Sequence, residues 1–151
     1  MPDAGTPHVA VVGAGGEVAA DLLADAGAIG AQLARRGAVV VTGGLGGVME
    51  AACRGAREAG GTTLAILPGD DRAEANRWVD VAVATGMGEL RNGLVVRSAD
   101  ALIAVGGEYG TLSEIALALK AGKRVVGLGT WEIDGVLVAS RPDEAVELAL
   151  G

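Results

Sequence analysis

Residues 105–114 read Val105-Gly106-Gly107-Glu108-Tyr109-Gly110-Thr111-Leu112-Ser113-Glu114. They follow an apolar segment, 101–105, that is typical of a buried strand, and they lead into a segment, 112–121, with the pattern of a helix. A glycine-rich turn between a strand and a helix leaves backbone N–H groups free to face an anion, and the helix start adds partial positive charge. The run therefore predicts a phosphate-binding turn, with Thr111 and Glu114 on one helix face beside it.

The rest of the chain alternates in the same way between short apolar runs and helical patterns. Strands are predicted at 8–12, 39–41, 63–67, 79–84, 101–105, 124–128 and 136–138. Helices are predicted at 18–36, 48–59, 88–97, 112–121 and 142–150, and 70–77 reads as a polar surface loop. Strands that are apolar throughout and alternate with helices indicate a parallel sheet covered on both faces. The sequence therefore predicts an α/β fold, with residues 1–151 forming a single Rossmann-like, doubly wound domain.

Composition excludes several classes of protein. The net charge is −7 with no basic stripe, which argues against binding to nucleic acid. No segment approaches the roughly 20 apolar residues of a membrane span, and the first five residues lack the basic region of a targeting signal. Cys53 is the only cysteine and His8 the only histidine, so neither a metal cluster nor a histidine-based triad is expected. A cytoplasmic protein with no bound metal is the expectation.

Two further glycine clusters follow the first and second predicted strands, at the sheet edge where ligands bind in such folds. Gly13-Ala14-Gly15-Gly16 lacks the third glycine of a dinucleotide fingerprint, because Val18 stands at that position. It is compatible with a tight turn or with part of a nucleotide pocket. The second cluster, Gly43-Gly44-Leu45-Gly46-Gly47, is not a P-loop, because no Lys-Ser/Thr follows it. Close approach of its backbone to a ligand is favoured over close packing of a helix start.

The segment Met87-Gly88-Glu89-Leu90-Arg91-Asn92 follows the fourth predicted strand at the same edge. An arginine there can clamp a phosphate with two parallel hydrogen bonds, although most arginines simply lie solvated on helix surfaces. Its position beside the 106–111 turn favours the phosphate role for Arg91, with Met87 and Asn92 in the same pocket.

Together these residues resemble the "lonely guy" superfamily. Residues 106–114 are similar to its G-G-x-G-T-x-x-E signature, and 43–50 are similar to its second glycine motif. That superfamily includes cytokinin riboside 5′-monophosphate phosphoribohydrolases and molybdenum cofactor carrier proteins, and the resemblance covers nearly the whole chain. In the hydrolases an arginine and the motif glutamate are the catalytic pair. The resemblance thus implies that Arg91 orients a ligand, that Glu114 stabilises the ribose or activates water, and that Gly107, Gly110 and Thr111 hold a phosphate.

Two positions depart from the hydrolase pattern. The hydrolases have Arg-Lys where this chain has Arg91-Asn92, and Pro where it has Val105. These positions, with residues 118–123 and 127–131, look more like the carrier branch. The ligand-binding residues expected from the glycine motifs and their neighbours are Gly13, Ala14, Gly15, Gly43, Gly44, Gly46, Gly47, Met87, Asn92, Gly106, Gly107, Gly110 and Thr111.

The first hypothesis is a carrier for a phosphorylated ligand, either molybdenum cofactor as bound cargo or a purine nucleotide. The alternative is a nucleoside 5′-monophosphate phosphoribohydrolase that needs no cofactor and releases a free base and ribose 5-phosphate. A third possibility is a nucleotide-sensing module in which ligand binding alters assembly. The resemblance also implies a homodimer or a higher homo-oligomer.

Overall fold

The structure is a computed structural model that describes residues 5–151. Residues 1–4 lie outside the described residues. They belong to the predicted domain and make up most of the N-terminal segment that was expected to lack a targeting signal.

Seven strands and five α-helices alternate along the chain. The strands are β1 (His8–Gly13), β2 (Val39–Thr42), β3 (Thr63–Leu67), β4 (Val81–Ala84), β5 (Ala101–Val105), β6 (Arg124–Leu128) and β7 (Leu137–Val138). The helices are α1 (Ala20–Arg35), α2 (Val48–Glu58), α3 (Asn92–Arg97), α4 (Tyr109–Lys120) and α5 (Pro142–Leu150). Short 3₁₀ helices span Arg72–Glu74 and Gly88–Arg91.

The strands form one parallel sheet in the order β4-β3-β2-β1-β5-β6-β7. The chain fills the sheet outward from β1 to β4, returns to the other side of β1 as β5, and continues outward. The order therefore reverses between β1 and β5, whose register runs from Val9 opposite Ala101 to Gly13 opposite Val105. Ligands of doubly wound folds bind at the carboxyl ends of the strands beside this switch point. The predicted fold is confirmed.

Helices cover both faces of the sheet, as the apolar strands require. On one face α1, α2 and α5 pack on alternate residues of the central strands, with Val11, Val40 and Ile103 fully buried. On the other face α3 and α4 pack on Val12, Val41 and Leu102. The chain has no Phe, and this core is built from Val, Leu, Ile and Ala.

Several element boundaries differ from the sequence prediction, and helix α1, predicted from Val18, begins at Ala20. Helix α4 begins at Tyr109 instead of Leu112, so Gly110 and Thr111 belong to its first turn. Strand β4 begins at Val81 instead of Val79. Just before it, the Thr63 hydroxyl donates to the Trp78 carbonyl at 2.6 Å and accepts from the Asp80 N–H at 2.8 Å. The helix predicted over 88–97 is a 3₁₀ helix followed by α3. Within residues 5–151, no helix is both long enough and apolar enough to cross a membrane.

Candidate functional site

A cleft of about 230 Å³ opens at the carboxyl end of the sheet, beside the switch point between β1 and β5. Its walls come from the loops after β1 and β2, from the 3₁₀ helix and α3, and from the first turns of α4. The lining residues are Val12, Gly13, Gly15, Gly43, Leu45, Met49, Arg91, Asn92, Glu108, Gly110, Thr111 and Glu114. The structure thus brings together eight of the residues predicted from sequence: Gly13, Gly15, Gly43, Arg91, Asn92, Gly110, Thr111 and Glu114.

Arg91 is the cation of this cleft and is only 9% exposed. Its guanidinium donates to Asn92 Oδ1 and, at 3.5 Å, to the carbonyl oxygen of Gly43. Its Nε is buried and makes no hydrogen bond. Burial lowers the pKa of Arg91, and the charge of Glu114 acts against that shift. A buried donor without a partner is costly, so an acceptor on a ligand in the cleft would stabilise the side chain.

Glu114 lies on α4 and is also buried within the cleft wall. Burial raises the pKa of its carboxyl to about 7, and the positive charge of Arg91 partly offsets the shift. No hydrogen bond from the described residues reaches this carboxyl. The group can therefore accept a hydrogen bond from a ligand when ionised, or donate one when protonated.

Asn92 connects the arginine to helix α4. Its Oδ1 accepts from Arg91, and its Nδ2 donates to Ser113 Oγ at 3.2 Å. The Ser113 hydroxyl in turn donates to the Gly110 carbonyl at 2.6 Å. The chain of bonds fixes the guanidinium relative to the first turn of α4.

The first turn of α4 supplies the anion-binding end of the cleft. Glu108 caps the helix, and its N–H donates to Thr111 Oγ1 at 3.2 Å. Thr111 is buried, and its hydroxyl keeps a hydrogen that it can donate to a ligand. Two residues, Glu108 and Tyr109, separate Gly107 from Gly110, one more than the family signature has. The cap residue of this chain is thus an acid that lines the cleft.

The second glycine cluster is shaped mainly by packing. Gly47 has φ +61°, and a Cβ there would lie 2.1 Å from the Ala14 carbonyl oxygen. Gly44 has φ +81°, and its Cβ would contact Leu67 at 2.6 Å. A Cβ at Gly46 would lie 3.0 Å from the Gly15 carbonyl oxygen. None of these three glycines lines the cleft, and neither does Ala14, whose carbonyl accepts from Val48 N at 3.0 Å.

Three other predicted residues also lie outside the cleft. Met87 is 44% exposed and precedes the 3₁₀ helix. Gly106 and Gly107 face a neighbouring pocket of about 300 Å³, which they share with Gly129, Thr130 and Trp131. The 106–111 turn therefore has a pocket on either side.

Four lining residues were not predicted from sequence: Val12, Leu45, Met49 and Glu108. Leu45 lies between the glycines of the second cluster, and Met49 is the second residue of α2. Neither residue type carries a chemical signal of its own. Glu108 was missed because the helix was predicted to begin at Leu112, three residues after its observed start at Tyr109.

Residues 5–151 hold no group of three or more His, Cys, Asp or Glu side chains that could bind a metal ion. A larger groove, about 920 Å³, runs between α1 and α2 and ends at Trp78. It contains neither Arg91 nor Glu114, and none of its charged lining residues, Arg35, Glu50, Arg54 and Glu58, is buried.

Comparisons with known proteins agree with this geometry. The model of the SLOG cluster4 family matches residues 6–149. An uncharacterised protein of Archaeoglobus fulgidus is 46% identical over 144 residues, which are 95% of this chain and 94% of that protein.

Two solved structures have the same fold over nearly their whole length. The molybdenum cofactor binding protein of Rippkaea orientalis is 38% identical, with a TM-score of 0.90, over 95% of this chain and 94% of that one. The molybdenum cofactor carrier protein of Chlamydomonas reinhardtii is 38% identical, with a TM-score of 0.85, over 94% of each chain. The chain belongs to the SLOG cluster4 family, in the branch whose solved structures include molybdenum cofactor carrier proteins.

Proposed function

We propose that this protein binds and carries a phosphorylated, nucleotide-like ligand in the cleft between Arg91 and Glu114. One observation carries the proposal: the guanidinium of Arg91 is buried in the cleft wall, and its Nε has no partner. Most buried side-chain donors in folded proteins are paired. A phosphate oxygen is the acceptor that a guanidinium fits best.

The helix start of α4 supports a phosphate at the same place. Gly110 and Thr111 line the cleft from the first turn of a 12-residue helix. Unpaired N–H groups and the helix dipole favour an anion there, and the Thr111 hydroxyl adds a donor. We assign the phosphate to Arg91, Gly110 and Thr111, and the remaining polar groups of the ligand to Glu114 and Asn92.

The relatives support a choice of ligand class. Proteins similar to this chain over nearly its whole length are described as molybdenum cofactor binding and carrier proteins. We therefore propose molybdenum cofactor, a phosphorylated pterin, as the first candidate cargo, and a purine nucleotide as the second. Both join a phosphate to a flat heterocycle.

A carrier must hold its ligand without cleaving it, and the surroundings of Arg91 are consistent with that role. Asn92 and the Gly43 carbonyl fix the guanidinium in position. The hydrolases that the chain resembles have Lys where this chain has Asn92, so this cleft has one cation fewer. A fixed arginine and a single positive charge suit binding of a monophosphate.

The phosphoribohydrolase remains the second candidate, favoured by the pKa of Glu114, which lies at about 7. A general base is most effective when its pKa is close to the working pH. Glu114 would take a proton from the water that attacks the ribose carbon, the N-glycosidic bond would break, and the base would leave with its bonding electrons. Chromatography of AMP incubated with the protein would detect free adenine if this reaction occurs.

Calorimetric titration with AMP and with inorganic phosphate tests the binding proposal. Removing a charge-assisted hydrogen bond costs about 1.5–3 kcal/mol, so we expect Arg91→Ala to weaken binding of both ligands roughly ten- to hundredfold. Arg97→Ala is the matched control, because Arg97 is exposed at the other end of α3. Equal affinity of Arg91→Ala and the native chain would contradict the proposal.

Residues 1–151 are proposed to act as one binding domain in the cytoplasm, assembled as a homodimer or a larger homo-oligomer. Val81, Val83 and Leu90 are 52%, 44% and 73% exposed, and such apolar exposure is typical of a subunit interface. Light scattering with and without AMP measures the assembly. A mass that changed with ligand would favour the sensing module over the carrier.

A further inference from the structure

We propose that the pocket walled by Gly106, Gly107, Gly129, Thr130 and Trp131 binds the flat heterocycle of the ligand, a pterin or a purine, stacked on the indole of Trp131. The inference rests on the proposed function, in that the phosphate of the same ligand would lie in the neighbouring cleft. The 106–111 turn joins the two sites, because Gly106 and Gly107 wall the pocket while Gly110 and Thr111 line the cleft.

Trp131 is the one aromatic residue of this chain that walls the pocket. The chain has two Trp, one Tyr and no Phe, and its core is aliphatic. Trp78 already stacks against the guanidinium groups of Arg54 and Arg77, at 5.5 and 4.8 Å from the ring centre. Trp131 is 38% exposed and has no such partner within residues 5–151. Its ring is therefore partly exposed and is the aromatic ring in the wall of this pocket.

The pocket is kept open by backbone that carries no side chain. A Cβ at Gly107 would lie 3.0 Å from Trp131 Cζ3, so the ring packs directly on this peptide. Leu22 of α1 forms an apolar contact beneath Gly106 and Gly129, where added Cβ atoms would lie 2.9 and 3.2 Å from its methyl groups. The partly exposed ring and the bare glycine peptides give the pocket a surface on which a planar heterocycle can stack.

Polar groups for the edge of a heterocycle are also present. Thr130 Oγ1 is buried and makes no hydrogen bond. No backbone acceptor among the described residues takes the N–H groups of Gly129, Thr130 or Trp131. Pterins and purines carry ring nitrogens and exocyclic groups around their edges, so they can pair with a hydroxyl and with backbone donors.

The position in the fold agrees with this assignment. The pocket lies where β5 and β6 end, and the cleft lies where β1 and β5 end. The two sites are therefore neighbours along the ligand-binding edge of the sheet. Their volumes, about 230 and 300 Å³, together fall in the range of about 300–1,000 Å³ that ligand pockets occupy.

Tryptophan fluorescence with phosphate-free probes tests the pocket independently of the cleft. In a Trp78→Phe background Trp131 is the sole tryptophan and can be excited selectively over Tyr109, and we expect unsubstituted pterin or adenosine to quench it. Base stacking on an aromatic ring predicts that Trp131→Ala weakens binding of the better probe about tenfold, measured by calorimetry, while Trp131→Phe stays close to the native affinity. Thr130→Val is expected to weaken the same probe without altering phosphate binding.

Equal affinity of Trp131→Ala and the native chain for both probes would overturn the proposal, as would the absence of any probe binding. Quenching of Trp78 in a Trp131→Phe background, with no loss of affinity, would place the heterocycle in the α1–α2 groove and would also overturn it. Titration with inorganic phosphate distinguishes this proposal from the proposed function. If phosphate fails to bind the native chain while a probe binds through Trp131, the proposed function fails and the pocket stands.

Discussion

Arg91 and Glu114 are buried in the walls of one cleft and influence each other's pKa, yet they form no ion pair. The ion pairs of residues 5–151 join other partners. Asn92 and Gly43 hold the guanidinium instead, and the Glu114 carboxyl is left without a hydrogen bond. Two buried groups of opposite charge that do not pair with each other can both bind a ligand. We interpret the space between them as the place of the ligand.

The stability of the protein should fall as pH rises through the titration of Glu114. The carboxyl has an ordinary pKa of 4.5 and a folded-state pKa of about 7, so between these values the folded state holds more protons than the unfolded state. Within this window each pH unit costs up to about 1.4 kcal/mol of unfolding free energy. Glu114→Gln should remove most of this slope and be the more stable protein at pH 8.

Urea unfolding of both proteins at pH 5 and pH 8 measures the effect. Glu132→Gln provides the control, because Glu132 is exposed and does not line the cleft. A slope that persisted in Glu114→Gln would show that other groups cause the pH dependence.

Asn92→Ala should weaken AMP binding without unfolding the protein. The substitution removes the acceptor that orients Arg91 and the donor to Ser113. One such hydrogen bond contributes about 1 kcal/mol, so we expect roughly a fivefold loss of affinity by calorimetry. Ser113→Ala cuts only the second bond and should have a smaller effect. A larger loss in Ser113→Ala than in Asn92→Ala would contradict this order of importance.

Glu108→Gln should bind inorganic phosphate more tightly than the native chain. Glu108 is exposed at the start of α4 and lines the cleft, so its negative charge opposes an anion there. Exposed charge pairs are worth roughly 0.2–1 kcal/mol, which predicts at most about a fivefold gain, shrinking as salt is added. Unchanged affinity at low salt would mean that phosphate does not approach this helix start.

Gly47→Ala should be severely destabilising, because a Cβ would lie 2.1 Å from a carbonyl oxygen at φ +61°. We expect a loss of more than about 1 kcal/mol, or failure to fold. Gly16→Ala is the matched control, since a Cβ there meets nothing within 4 Å and φ is not positive. Thermal unfolding compares the two. A mild effect at Gly47 would contradict the packing role assigned to this glycine.

The sheet could be predicted from sequence because its strands are continuous apolar runs, such as 101–105, in which every residue is buried. The C-terminal end of α1 was also predictable, since Gly37 has φ +78° and follows the helix with the expected reverse-turn bonds. The start of α4 was misplaced because Glu108 and Tyr109 are not typical first residues of a helix. Which glycines face a ligand and which pack could not be predicted, because Gly43 and Gly44 differ only in backbone conformation and in their neighbours in space.

Two-dimensional ¹H–¹⁵N NMR during titration with AMP tests the central claim most directly. The Nε–H of Arg91 is a buried donor without a partner, and a phosphate oxygen in the cleft would give it one. We predict a large downfield shift of the Arg91 Nε–H resonance, together with shifts of the Gly110 and Thr111 amides. Unmoved resonances at all three, with shifts confined to amides of the α1–α2 groove such as those of Gly27 and Gly55, would contradict it.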